Sequence, residues 1–117
     1  MDIHATATDD STATLQRLRT LESLYEQGYH NDVVDRTIYK LLEHQVQQDE
    51  AQLAELADSL SEFEQRFGMI SAAFYEKYQA GQASDDADHF EWQVLYKMHQ
   101  RLSQAVDLLK SQLSPAL

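Results

Sequence analysis

The chain has no cysteine and very little proline or glycine, and each shortage excludes a class of structure or site. Without cysteine, disulfides, thiolate chemistry and cysteine-based zinc sites are impossible. One proline and three glycines in 117 residues provide few of the turn signals that a sheet protein needs. Three scattered glycines also cannot form a loop that cradles phosphate. These shortages favour a largely helical protein.

Positive charge is also scarce in this chain. Nine Lys and Arg residues are outnumbered by 20 Asp and Glu residues, which gives a formal net charge of −11. An acidic chain repels nucleic-acid backbones and anionic lipids, so neither is a predicted partner. The polar, acidic start is unlike a signal peptide, and no run approaches the roughly 18 apolar residues of a membrane span. We therefore predict a cytoplasmic protein that does not associate with membranes.

Apolar periodicity divides the chain into a tail and four helices. Residues 1–11 show no periodic apolar pattern, which predicts a flexible polar tail. The remaining residues, 12–117, are long enough for one domain and are predicted to form a single helical domain. Its helices are expected at about 13–27, 32–67, 72–80 and 85–113. Residues with capping or helix-ending preferences mark these limits, namely Gly28, Asn31, Gly68, Ser71, Gly81 and Ser84.

Two of the predicted helices carry heptad-like apolar seams. The second helix has apolar residues at spacings of 3, 4, 3 and 4, which are Leu53, Leu56, Leu60, Phe63 and Phe67. The fourth repeats this spacing with Leu95, Met98, Leu102, Ala105 and Leu109. The sequence thus predicts an all-α fold, an elongated antiparallel helical hairpin with one very long helix and four helices in total. Because such a hairpin buries little surface alone, we also expect dimeric, coiled-coil-like packing.

No pattern in the sequence indicates catalysis, a metal or a cofactor. A di-iron centre of the ferritin type needs Glu-x-x-His on two helices, whereas this chain offers only Asp86-x-x-His89. The acids near residue 85 lack the glycine and the terminal Glu of a calcium loop. A Gly-x-Ser-x-Gly nucleophile motif is also missing. We predict a protein without enzymatic activity, catalytic residues, metal ligands or cofactors.

Aromatic and acidic residues are unevenly distributed. Eight of the 11 aromatic residues lie between Phe63 and Tyr96, and no Lys or Arg occurs between Lys40 and Arg66. The aromatic residues could form a core, or some could form a contact surface with an acidic rim, which suits a basic partner protein. In the second interpretation Trp92 is partly exposed. The predicted partner-contact residues are Asp85, Asp86, Asp88, Phe90, Glu91 and Trp92.

Three stretches resemble one protein family. They are Glu62-Phe-Glu-Gln-Arg-Phe-Gly-Met69, Ser71-Ala-Ala-Phe-Tyr-Glu-Lys-Tyr-Gln-Ala-Gly81 and Asp85-Asp-Ala-Asp-His-Phe-Glu-Trp-Gln-Val-Leu-Tyr96. Together they resemble small, mostly uncharacterised prokaryotic helical proteins that are similar to antitoxin-like partners of TumE-type toxins. The resemblance implies an acidic interaction protein that neutralises a basic toxin, and it implies no catalytic residues.

Two other functions stay open at this stage. The protein could be a coiled-coil dimerisation or structural module, in which the two seams are the whole function. It could also be a DNA-binding autoregulator, since residues 31–42 are similar to the helical part of ribbon-helix-helix repressors. However, the basic β-strand that reads the groove in those repressors is missing here. The bases available for that role are Arg17, Arg19, Arg36 and Lys40.

Overall fold

Four α-helices make up the regular structure of residues 4–113. The computed structural model describes residues 4–113, with side chains from residue 10 onward. The helices are α1 (His4–Glu26), α2 (Asp32–Phe67), α3 (Ser71–Gln79) and α4 (Ala87–Ser111). Residues 4–113 contain no strand, so the predicted all-α fold with four helices is confirmed. The very long helix is also confirmed, because the 36 residues of α2 span about 54 Å. None of the described helices is long and apolar enough to cross a bilayer.

Helix α1 begins earlier than the sequence predicts. The predicted tail covers residues 1–11, but α1 starts at His4, so residues 4–11 are helical. Residues 1–3 lie outside the described part of the chain. No glycine or proline occurs before Gly28, and a helix nucleated further along can therefore extend backward without interruption. The missing apolar pattern was therefore wrongly interpreted as a lack of helix at residues 4–11.

Each of the three glycines ends a helix, as predicted. Their φ angles are +97° at Gly28, +64° at Gly68 and +73° at Gly81, in the left-handed region that favours glycine. After α1, the Tyr29 N–H donates to the Leu24 carbonyl at 2.9 Å, and the Gly28 N–H donates to the Tyr25 carbonyl at 3.0 Å. This pair of bonds is the Schellman motif, which satisfies the last carbonyls of the helix.

The predicted helix starts are correct for α2 and wrong for α3 and α4. The Asn31 carboxamide oxygen accepts from the N–H groups of Val33 and Val34 at 2.9 and 3.1 Å, as an N-cap does. Ser71 is the first residue of α3 and not its cap, and its N–H donates to Glu64 Oε2 at 2.7 Å. Asp86 caps α4 in place of Ser84. In both corrections a carboxylate replaces the predicted hydroxyl, because the helix dipole favours a negative charge there.

Residues of the chain group into two units, Met1–Arg36 and Thr37–Leu117, whose boundary falls inside α2. In the first unit, the Tyr25 hydroxyl donates to Asp35 Oδ1 at 2.6 Å and thereby ties the end of α1 to the start of α2. The second unit contains the buried apolar core. The single domain predicted for residues 12–117 stays a prediction.

The core of the second unit is centred on aromatic side chains. Its buried cluster comprises Leu60, Phe63, Phe74 and Trp92, so α2, α3 and α4 all contribute to it. The seam predicted for α2 points inward, because Leu56, Leu60 and Phe63 are buried and the other two members are half-buried.

The seam predicted for α4 is wrong in part. Met98 and Ala105 are exposed, although Leu95, Leu102 and Leu109 are half-buried. The buried residues of α4 are instead Trp92, Gln93 and Val106. Burial of the large indole fixes the rotation of the helix, and this rotation leaves Met98 and Ala105 on the outside.

Candidate functional site

Trp92 is the centre of a stacked group of rings that we call the aromatic corner, which comprises Phe63, Phe67, Phe74, His89 and Trp92. The indole lies parallel to the Phe74 ring, with centroids 3.8 Å apart, and it also stacks on Phe63 at 5.6 Å and Phe67 at 5.5 Å. Only 1% of Trp92 is exposed. Its Nε1–H donates to Ser71 Oγ at 2.9 Å, so the one polar atom of the indole is satisfied inside the core.

His89 closes the aromatic corner on the side of the α4 N-terminus. Its ring centroid lies 4.9 Å from that of Phe67 and 5.4 Å from that of Phe74. Its Nδ1 is 2.7 Å from Asp86 Oδ1, which also accepts the His89 backbone N–H at 2.9 Å. The backbone hydrogen bond first, and then the one to the imidazole, hold the pKa of Asp86 below its usual range. The cap and the aromatic corner are therefore joined through one histidine.

The structure divides the six predicted partner-contact residues into three groups, which are buried, engaged and open. The partial exposure predicted for Trp92 is wrong, because its indole is buried and presents no contact surface in this structure. Asp86 is engaged as the cap of α4, and Asp88 is engaged in an ion pair with Arg66. The three that remain as open surface are Asp85, Phe90 and Glu91, with Phe90 55% exposed. Most of the aromatic cluster is core, and Phe90 is the exception at this end of α4.

We predict that Asp86→Ala lowers the melting temperature by about 3–6 °C, whereas Asp85→Ala changes it by less than about 2 °C. Only the Asp86 carboxylate accepts a free N–H group in the first turn of α4, that of His89, since Asp85 is exposed and makes no such bond in residues 10–113. Thermal denaturation followed by far-ultraviolet circular dichroism measures both. Equal losses for the two neighbours would contradict this assignment of the cap.

The pH dependence of the same contact has a defined sign. The folded-state pKa of Asp86 lies below the ordinary value of about 3.9. The Asp86 carboxylate therefore contributes its full stabilisation at pH values above its pKa in the unfolded chain. This stabilisation is lost as the pH falls through the lower pKa of Asp86 in the folded protein. The difference between wild type and Asp86→Ala should disappear in this acidic range and stay constant at neutral pH.

The acids of α2 separate into engaged and open groups. Among the seven acids between Lys40 and Arg66, Asp49 is buried, Glu64 accepts the Ser71 N–H and Glu50 pairs with Lys110. The other four are exposed, namely Glu43, Glu55, Asp58 and Glu62. The last three follow spacings of 3 and 4, so they share one side of the helix. We call Glu55, Asp58 and Glu62 the acidic face of α2, and it points away from the buried seam.

Another group of polar residues joins the end of α1 to the start of α2. His30 Nδ1 lies 3.9 Å from Asp32 Oδ1, and His30 Nε2 lies 3.4 Å from Asp35 Oδ2. These three residues have ligand atoms close enough for one metal ion. However, the two ring nitrogens point to different carboxylates, and only one of them could bind a single ion. The N-terminus of α2 also favours anions and not cations. The geometry is that of an imidazole bridging two carboxylates.

Tyr25 completes this group, which the sequence reasoning missed. Its hydroxyl donates to Asp35 at 2.6 Å and to the Asn31 carbonyl at 3.3 Å. The hydrogen bond to the carboxylate, aided by partial burial, raises the pKa of Tyr25 to about 12. The sequence signal was the tyrosine one turn before Gly28, close enough to reach back over the turn. The arrangement fixes this turn.

Two shallow hollows share Tyr96 and Gln100 on α4. One, of about 340 Å³, includes Leu60, Glu64 and His99 in its lining. The other, of about 280 Å³, is lined by Tyr75, Tyr96, Lys97, Gln100 and Arg101. In the first, the Glu64 carboxylate and the Ser71 hydroxyl already accept hydrogen bonds from the chain itself. These two polar groups of the first hollow are therefore engaged in holding the helices of the chain together.

Comparison with known proteins gives no relative for this chain. No protein-family model, no curated protein and no solved structure matches it. The resemblance to antitoxin-like proteins therefore stays a prediction.

Proposed function

We propose that the protein is a non-enzymatic protein–protein interaction module, an acidic antitoxin-like partner that binds and neutralises a basic protein. The acidic face of α2 carries this proposal. Its three carboxylates are exposed on one side of the helix, inside an interval that contains no Lys or Arg. A single-sign helical face of this kind attracts a basic partner and repels acidic ones.

The rest of the surface supports the same proposal. Asp85 and Glu91 add negative charge beside the exposed Phe90, an aromatic side chain of the kind that is enriched at protein interfaces. The net charge of −11 extends the attraction over about one Debye length, roughly 8 Å at physiological salt. Binding through this surface should therefore be fast and should weaken as salt is added.

We further propose that α2 and α4 form an antiparallel hairpin and that the protein self-associates. Arg66 of α2 pairs with Asp88 early in α4, and Glu50 pairs with Lys110 late in α4. The partners run in opposite order along the two helices, which supports the hairpin. Self-association is supported by large apolar side chains left on the surface, such as Leu18 at 54% and Leu108 at 68% exposure.

Charge reversal on the acidic face tests the partner-binding proposal. Antitoxin-like proteins of the family that this chain resembles are often encoded beside their toxin, so the candidate partner is the product of the neighbouring gene. We expect Glu55→Lys/Asp58→Lys/Glu62→Lys to weaken the complex with this product at least about tenfold, because each reversal replaces attraction with repulsion. Co-purification and a binding titration at low salt measure the loss. Rescue of growth in cells that express the neighbour is the matching functional readout.

A second triple reversal separates the acidic face from net charge. Asp10→Lys/Glu76→Lys/Asp107→Lys changes exposed acids outside α2, and both variants shift the net charge from −11 by six units to −5. We expect this control to bind within about threefold of wild type. Equal weakening by both variants would contradict the acidic face. No complex at micromolar concentration and low salt would contradict the whole proposal.

A coiled-coil dimerisation module is the second candidate, and the outward apolar residues of α4 favour it. In that case self-association is the whole function and the neighbouring gene product is harmless when expressed alone. An antitoxin instead requires a harmful neighbour, so growth of cells that express only the neighbour distinguishes the two functions. A chain that is monomeric by light scattering would exclude the dimerisation module.

A further inference from the structure

The outer side of α4 carries a second heptad stripe that the chain itself does not cover. It consists of Val94, Met98, Arg101, Ala105 and Leu108, at spacings of 4, 3, 4 and 3. Val94 is half-buried and the other four are exposed. Shallow hollows of about 270 and 140 Å³ flank Met98 and Arg101 along this stripe. The stripe is therefore apolar except for one positive charge at its centre.

Helix α1 carries a complementary stripe. It consists of Leu15, Leu18, Glu22 and Tyr25, at spacings of 3, 4 and 3. The first three are exposed and Tyr25 is half-buried. This stripe is apolar except for one negative charge. Each stripe thus has a single charged residue in a seam position, and the two charges are opposite.

We propose that α1 of a second copy of this chain packs antiparallel on the outer side of α4, with Glu22 of one copy against Arg101 of the other. The inference rests on the self-association proposed above and assigns its surfaces. In this register each of the four stripe residues of α1 faces a stripe residue of α4. The spacings from Tyr25 back to Leu15 are 3, 4 and 3, the same as those from Met98 to Leu108. The pairs are Glu22 with Arg101, Tyr25 with Met98, Leu18 with Ala105 and Leu15 with Leu108.

Pairing of identical stripes fits the charges less well. If two α4 helices pair, Arg101 of one copy faces Arg101 of the other. This holds for a parallel pair in register and for an antiparallel pair centred on the stripe. Two α1 helices place Glu22 against its copy when parallel and against Leu18 when antiparallel. Each of these leaves a seam charge opposed or unpaired, which disfavours the assembly. A basic protein is also a poor occupant, because Arg101 and the nearby Lys97 would repel it.

One polar pair in an apolar seam has a known physical role. A single polar residue at a seam position fixes register and partner choice, since any slip leaves it facing an apolar side chain. Glu22 and Arg101 meet this description only when α1 lies against α4. A two-fold dimer would contain the contact twice, once for each α1.

Charge exchange between the two stripes tests the inference. We expect Arg101→Glu and Glu22→Arg each to weaken dimerisation by about 30-fold or more, and the double variant to recover to within several-fold of wild type. Sedimentation equilibrium of the full chain measures the dissociation constant, and circular dichroism verifies that each variant is helical. Arg17→Glu is the control, because Arg17 is exposed one residue before Leu18 and about 100° away from the stripe. It should change the constant by less than about threefold.

The outcomes distinguish this inference from the proposals on which it rests. If the wild type is a dimer and neither single reversal changes its dissociation constant, the assignment of surfaces is wrong although self-association is correct. A wild type that is monomeric at every concentration overturns both. A double variant that does not recover, although it is folded, overturns the Glu22–Arg101 pair. Partner binding is measured separately, through the acidic face of α2.

The absence of cysteine allows a second, direct test. Leu18→Cys/Ala105→Cys should oxidise to a covalent dimer of about 27 kDa, twice the 13.5 kDa of one chain. The control Leu18→Cys/Asp107→Cys moves one thiol two residues along α4, about 200° round the helix. It should cross-link at least about tenfold more slowly. A product that stays at the mass of one chain, or equal rates for both pairs, would overturn the inference.

Discussion

Replacing Trp92 by alanine should lower the free energy of unfolding by about 3–5 kcal/mol, the range for a large aromatic side chain in a core. The indole is 1% exposed and stacks on rings from both α2 and α3, so its removal leaves a cavity where three helices meet. It also removes the donor to Ser71 Oγ. Urea denaturation followed by far-ultraviolet circular dichroism measures the loss without relying on the deleted fluorophore.

Phe90→Ala is the matched control for that experiment. Phe90 is an aromatic residue of α4 only two positions before Trp92, and it is 55% exposed. Its removal should change the free energy of unfolding by less than about 0.5 kcal/mol. If the two substitutions lowered the free energy of unfolding equally, Trp92 would not be the centre of the core. The partial exposure of Trp92 expected from the sequence would then be correct.

The limits of α2 could be predicted from sequence because residues with strong local preferences stand at both ends. Asn31 caps the start through its own side chain, and Gly68 ends the helix with a positive φ. These are local interactions, and neither depends on what packs nearby. The start of α4 was misplaced because Ser84 and Asp86 both have capping chemistry. The path of the turn before the helix determines which of the two side chains accepts a hydrogen bond from the first turn of α4.

The rotation of α4 could not be predicted from periodicity. This helix carries two apolar stripes, one through Leu95 and Leu102 and one through Met98 and Ala105, and both have helical spacing. Periodicity alone cannot choose between two stripes on one helix. Trp92 decides between them through contacts with Phe63 and Phe74, which lie on other helices and are distant in sequence.

The candidate site was predicted as a region and not as a set of residues. The interval without Lys or Arg is visible in the sequence, but the sequence could not distinguish open acids from engaged ones. Glu64 is engaged because α3 begins beside it, and Glu50 because Lys110 reaches it from α4. Both partners are supplied by tertiary structure. The same reason explains Asp88, whose partner Arg66 lies 22 residues earlier.

Asp49 leads to the other large expected effect. It lies in the buried seam of α2, three residues after Val46 and seven before Leu56, and it is 9% exposed. Its side chain accepts one hydrogen bond, from the Gln45 carboxamide at 2.9 Å. Asp49→Leu should raise the free energy of unfolding by about 1–3 kcal/mol, because an apolar side chain continues the seam and removes a desolvated carboxylate. Urea denaturation at neutral pH measures this gain.

Asp58→Leu provides the comparison, since Asp58 is an exposed acid of the same helix. The same chemical change there should alter the free energy of unfolding by less than about 0.5 kcal/mol. If Asp49→Leu instead destabilises the chain, its contact with Gln45 outweighs the cost of burying the carboxylate. If the chain gains stability but sediments as a mixture of species, Asp49 serves specificity, as a polar seam residue that excludes wrong registers. A gain in stability with one unchanged species would leave Asp49 with no structural role.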